Sequence, residues 1–164
     1  MERFKRVLSV AGSDSGGGAG IQADLKTIAA CGCYGMTAIT AVTVQNTQGV
    51  RRVHAVPADV VAGQIDAVLE DIGADAVKLG MLPSEAIIVE TARLIWKYGV
   101  RHVVMDPVMI ATSGDRLVAE SAVASFLAQG HELPEAVRRA EDYVHGAIMA
   151  GREYRTGCGH GPVH

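Results

Sequence analysis

The residues best placed to do chemistry gather at the end of an apolar run. Ala11-Gly12-Ser13-Asp14-Ser15-Gly16-Gly17-Gly18-Ala19-Gly20 joins a short hydrophobic stretch to a helical pattern. A glycine-rich turn of this kind lets backbone N–H groups approach a ligand, and a helix start favours negative charge. The segment fits neither common phosphate fingerprint. A P-loop closes on Gly-Lys-Ser/Thr, and no lysine stands there. The dinucleotide pattern breaks because Gly16-x-Gly18 is followed by Ile21, where a third glycine is required. Taken alone, the loop is a ligand site or a tight structural turn.

Asp24 follows, expected in the first turn of the helix after the loop, where a carboxylate also has a plain stabilising role. Gln45 and Asn46 come after a second apolar run. A terminal amide both donates and accepts, which suits the edge of a nitrogen heterocycle and equally suits solvent. Cys31-Gly32-Cys33 with Cys158 and His160 lacks the two-to-four-residue loop of a zinc site, so these read as small thiols.

Strands alternating with helices must position these groups. Val7 to Ala11 reads as a buried strand ended by Gly12, then a helix from Gly20 to Ala30 closed by Gly32. Met36 to Val44 reads as a strand, and Val50 to Val56 as a small extra strand or hairpin arm. Val61, Ile65, Val68, Leu69 and Ile72 lie on one face of a helix that begins after Pro57. Ala76 to Gly80 is a strand, and Ser84 caps a helix presenting Ile88, Ala92 and Ile95 before Gly99 ends it. His102 to Met105 is a strand leading into Asp106-Pro107. Beyond Asp115 come two helices, Val118 to Gln129 and Leu133 to Ala150, the second with Leu133, Val137, Ala140, Val144 and Ile148 on one face. The expected fold is α/β, with about four main parallel strands, helices on both faces and right-handed crossovers. Ligands of such sheets bind beyond the carboxyl ends of the strands, where the glycine loop, Gln45, Gly80-Met81 and Asp106 all fall.

Composition agrees with this architecture. The 164 residues are 49% hydrophobic and only 4% aromatic, so the core is built from Val, Ile, Leu, Ala and Met. The length suits one domain. A net charge of -3 gives no basic face for nucleic acid. No apolar run reaches membrane-span length, and Val7 to Ala11 is too short for a signal-peptide core, so the expected location is the cytoplasm.

Val10 to Thr27 taken whole resembles the start of hydroxymethylpyrimidine/phosphomethylpyrimidine kinases of thiamine biosynthesis. Thr40-Ala41-Val42-Thr43-Val44-Gln45-Asn46-Thr47, Lys78-Leu79-Gly80-Met81-Leu82, and Asp106-Pro107-Val108-Met109 with Ser113-Gly114-Asp115 follow in the family's order. The resemblance implies a ribokinase-like fold and ATP-dependent, magnesium-dependent phosphorylation of 4-amino-5-hydroxymethyl-2-methylpyrimidine and its monophosphate. It implies that Gln45 bonds the aminopyrimidine edge, that Gly12, Ala19 and Asp24 surround the ring and its hydroxymethyl group, and that Met81 and Val108 form apolar walls. Asp106 is implied on the magnesium and phosphate side. Apolar walls with a few placed polar groups suit a flat, weakly polar ring.

The family's later strands, and the Gly-Thr-Gly-Cys loop that opens a helix and supplies its candidate base, are absent in order. No catalytic residue is therefore assigned. Phe126 to Val137 and Gly159 to His164 resemble the family's last helices and C-terminus. These features imply an internal deletion with its junction near Ser121 to Val123. Residues 1–120 are then the substrate-binding part, and 121–164 the C-terminal helices and tail of one domain. Thr156-Gly157-Cys158-Gly159 follows the last helix and opens no new one. The alternative to a working kinase is an inactive deletion variant or a pyrimidine-binding remnant. Exposing sheet built to be covered predicts a homo-oligomer.

Overall fold

A computed structural model describes residues 4–105 and 123–151. The elements, in chain order, are β1 (Arg6–Asp14), α1 (Gly20–Ala30), β2 (Tyr34–Asn46), β3 (Gly49–Ala55), α2 (Ala58–Asp71), β4 (Ala76–Leu79), α3 (Glu85–Lys97) and β5 (Val103–Met105). A helical segment at 123–128 (α4) and a long helix, Leu133–Gly151 (α5), complete the set.

The sheet order is β3-β2-β1-β4-β5. The four expected strands, β1, β2, β4 and β5, are parallel, and β3 adds an antiparallel edge to β2. The arm expected at Val50 to Val56 is thus a full edge strand. The chain leaves β1 towards β2 on one side, then returns through α2 to β4 on the other side of β1. That reversal makes the carboxyl ends of β1 and β4 the switch point, where a crevice opens in doubly wound sheets.

Side chains alternate across the sheet with a period of two. Leu8, Val10, Met36, Ala38, Val77 and Leu79 pack with Val61, Ile65 and Leu69 of α2 and with Ile87 and Leu94 of α3. On the opposite face, Val7 and Ala76 pack with Ile28 of α1, Cys33, and Ala124 and Ala128 of α4. Helices therefore cover both faces.

β1 runs past its expected end at Gly12 to Asp14, and its register against β2 slips between Ala11 and Ser13. A glycine inside the strand accommodates this bulge. α1 ends as expected: the Gly32 N–H donates to Ala29 O at 3.0 Å and the Cys33 N–H to Ile28 O at 3.0 Å. Ser84 caps α3 through its side-chain oxygen, which accepts from the Ile87 N–H at 3.3 Å.

Two helix faces differ from the sequence reading. α3 buries Ile87, Thr91 and Leu94, while Ile88 and Ala92 are exposed and only Ile95 of the expected stripe packs on the core. The Ser84 cap sets the helix phase, and Thr91 is accepted in the interior, so the more hydrophobic stripe loses. In α5, among the described side chains, Leu133 and Val137 of the expected face are exposed, Ala140 of that face is buried, and Ala136 beside it is buried as well. Small side chains permit close approach, which a count of large apolar residues does not register. The side chains of Val144 and Ile148 lie outside the described set.

Candidate functional site

The rule for doubly wound sheets sets the crevice between the β1–α1 loop and the segment after β4. Asp14 organises the loop. Its Oδ1 accepts from the Gly16 N–H at 2.7 Å, and its Oδ2 accepts from Gly18 at 3.0 Å and Ala19 at 2.9 Å. The Asp14 N–H donates to Gln22 Oε1 at 2.8 Å, and Gln22 Nε2 donates to Ser13 Oγ at 2.7 Å. Lys26 Nζ donates to Gly17 O at 3.0 Å. The sequence leaves this loop open between a ligand site and a tight structural turn. The N–H groups of Gly16, Gly18 and Ala19 are engaged by a carboxylate of the chain itself, so the loop is no phosphate cradle.

Ser15 joins the loop to the hairpin: its hydroxyl donates to Gln45 O at 2.8 Å and accepts from the Gln45 N–H at 2.9 Å. The Gln45 side chain is half-buried, and its Oε1 accepts from Thr43 Oγ1 at 3.1 Å. The same hydroxyl lies 3.0 Å from Ser13 O and has one proton to donate, so it is shared between the two oxygens and leaves the Gln45 amide able to turn towards a ligand.

Gly12 and Met81 face each other across the switch point. A Cβ on Gly12 would fall 2.7 Å from Met81 Cε. The Met81 carbonyl accepts from Thr40 Oγ1 at 2.7 Å, while its side chain remains 42% exposed, free to form an apolar wall. Ala19 is half-buried at the start of α1.

Asp24 lies in the second turn of α1, not the first, and is wholly buried. Its carboxylate meets Lys78 Nζ of β4 at 3.1 Å and accepts from Ser9 Oγ of β1 at 2.5 Å. Both charged side chains are 0% exposed. Sequence reading passed over Lys78 as a functional residue. The available signal was a lysine inside the four-residue strand Ala76–Leu79, every position of which is buried.

The structure thus brings Gly12, Ala19, Gln45 and Met81 to the carboxyl end of the sheet and sets Asp24 beneath them. Asp106 and Val108 lie outside the described residues, as does Thr156 to Gly159. Among the described residues no three of His, Cys, Asp and Glu gather as a metal site. No helix among them is long and apolar enough to cross a membrane.

Residues 14–125 and 120–164 match the phosphomethylpyrimidine kinase family. A hydroxymethylpyrimidine/phosphomethylpyrimidine kinase of Rhizobium meliloti (strain 1021) is 50% identical over 145 residues, 88% of this chain and 53% of that protein. One from Bacillus subtilis (strain 168) is 53% identical over 121 residues, 74% of this chain and 45% of the relative. The chain spans about half the length of the curated relatives it matches. The crystal structure of a phosphomethylpyrimidine kinase from Clostridium difficile 630 aligns with a TM-score of 0.81 at 30% identity, covering 88% of this chain and 99% of that one. A pyridoxal kinase from Staphylococcus aureus shares the fold, with a TM-score of 0.89 at 24% identity over 99% of this chain and 93% of its own.

Proposed function

The chain belongs to the phosphomethylpyrimidine kinase family, and from that premise we propose that its crevice takes 4-amino-5-hydroxymethyl-2-methylpyrimidine for ATP-dependent phosphorylation. The observation that carries this is that Gly12, Ala19, Gln45 and Met81 all stand at the carboxyl ends of the neighbouring parallel strands β2, β1 and β4, with Gly12 packed against Met81. Met81 supplies an apolar face, the absent Gly12 side chain lets the Met81 methyl pack against β1, and the Gln45 amide meets the ring's polar edge.

ATP and magnesium are the reaction's partners in this proposal. The described residues do not make a site for them. The loop's N–H groups bond Asp14, and Asp106, the residue assigned to the magnesium side, lies outside the described set. No chemical step is therefore derived through either. The proposal includes a cytoplasmic location and self-association. Self-association is supported by β5, which has no second strand partner among the described residues and exposes Val103 and Met105.

The alternative is a pyrimidine-binding remnant without phosphoryl transfer, and the length of the chain makes it the outcome to test against. The two family matches overlap at 120–125, around the junction inferred at Ser121 to Val123, and the chain spans about half the length of the relatives it matches. Phosphoryl transfer rests on positioning and charge stabilisation, which need a dedicated anion site. A turnover assay with hydroxymethylpyrimidine, ATP and magnesium, run beside calorimetric pyrimidine binding, separates the two. Turnover on the order of 1 per second or faster establishes the kinase. Binding without turnover establishes the remnant, and absence of both rejects the pyrimidine site.

A further inference from the structure

Ser9, Asp24 and Lys78 come from three different elements, β1, α1 and β4, and meet in the interior with 0% exposure at each. A buried ion pair is a weak source of stability, because desolvating two charges offsets most of their attraction. Its directional bonds nevertheless fix geometry. The Asp24 carboxylate receives Lys78 at both oxygens, 3.1 and 3.2 Å, and Ser9 on the second.

The location of this triad gives the geometry a use. Lys78 and Gly80 lie on the same face of the β4 segment, two residues apart, and a Cβ on Gly80 would fall 3.1 Å from Lys78 Nζ and 2.8 Å from Ala11 Cβ. The lysine side chain therefore extends along the sheet towards the carboxyl ends, and its ammonium fills the space that glycine leaves. Immediately beyond stand Gly12 of β1 and Met81 after β4, the two sides of the crevice. Asp24 belongs to the second turn of the helix whose first residues close the glycine loop.

We infer that Lys78 is a positioning residue of the crevice: through Asp24 and Ser9 it locks the start of α1 to β1 and β4, holding the loop wall and the Met81 wall at a fixed separation. The inference rests on the pyrimidine reading. It predicts that uncoupling the three elements weakens ligand binding without a matching loss of fold.

The test is Lys78→Met/Asp24→Asn, a pair of near-isosteric changes that remove both charges together and so leave neither buried alone. Thermal melting and calorimetric titration with 4-amino-5-hydroxymethyl-2-methylpyrimidine are compared with the parent chain. The double variant is expected to melt within about 5 °C of the parent while its affinity falls about tenfold or more. Ser9→Ala, which keeps the ion pair and removes one donor, is expected to lower affinity by about threefold, and it carries the test if the double variant fails to fold. Parent-like affinity in the folded double variant, or in Ser9→Ala if only that variant folds, overturns the inference while leaving the pyrimidine site intact. Failure of the parent itself to bind overturns both.

Discussion

Asp14 Oδ2 accepts a hydrogen bond from the Ala19 N–H at 2.9 Å, so the chain's own carboxylate occupies the position an anion would take at the start of α1. The same side chain holds Gly16 and Gly18, is only 5% exposed, and gives three glycine-loop amides a partner. The loop is thereby fixed without a ligand, which suits a wall better than a flap.

Asp14→Ala is expected to destabilise the fold by about 2 kcal/mol, because the partly buried N–H groups lose their acceptor and water replaces it incompletely. Asp14→Asn, with one acceptor oxygen left, falls between the two. Urea denaturation checks this, and a parent-like midpoint for Asp14→Ala would show that the loop's order comes from elsewhere.

Gly20 adopts φ +55, and a Cβ there would lie 2.2 Å from the Gly12 carbonyl oxygen. The approach brings the helix start against the bulge of β1. Gly20→Ala therefore meets both a left-handed backbone and a backbone clash, with an expected loss of more than about 2 kcal/mol. An unfolding midpoint equal to that of the parent would contradict the packing described.

Acid stability depends on Asp75. The Arg6 side chain, through its hydrogen bonds, holds this carboxyl below the usual carboxylate range, against the opposing effect of burial. A depressed folded-state value means stabilisation fully present above the unfolded value of about 3.9 and lost as pH falls through the folded one. Asp75→Asn should consequently narrow the stability difference between pH 7 and pH 3. Measured stability–pH curves that run parallel for the two proteins would remove Asp75 from the account.

The Cys31 thiol is pushed up to about 11, by burial first and by the neighbouring Cys33 second, with the Ser125 side chain partly opposing. An ordinary cysteine titrates near 8.5, so at pH 8 the Cys31 thiolate is scarcer by about two orders of magnitude. Iodoacetamide labelling mapped by mass spectrometry should find Cys31 correspondingly slow at pH 8, with its rate still rising beyond pH 10. Labelling at the rate of a free peptide thiol would mean that α4 does not cover this corner.

Much of the architecture was legible because its signals are local. Ser84, Gly32 and Gly99 punctuate helices by backbone chemistry that neighbouring residues decide. Gly12, Gln45 and Met81 could be placed together because parallel strands align their carboxyl ends. The missed features depend on tertiary context. Lys78 is a surface residue by type and becomes interior only because Asp24, 54 positions away in the chain, stands opposite. α3 buries Thr91 and exposes Ile88, and α5 buries Ala136 while exposing Leu133. Close packing chose shape over hydrophobicity in each case. In the sequence Asp14 is one member of a loop that suits a ligand or a tight turn, and its role as that loop's internal partner appears only once the chain has turned back on itself.

The central claim is that the crevice binds an aminopyrimidine through Gln45, and calorimetric titration of parent and Gln45→Ala with 4-amino-5-hydroxymethyl-2-methylpyrimidine tests it most directly. Removing the amide leaves the ring's polar edge unpaired, so the parent should bind with one site per chain and the variant should bind weaker by about 1–3 kcal/mol. Equal affinities for the two proteins, or no binding by the parent, would contradict it.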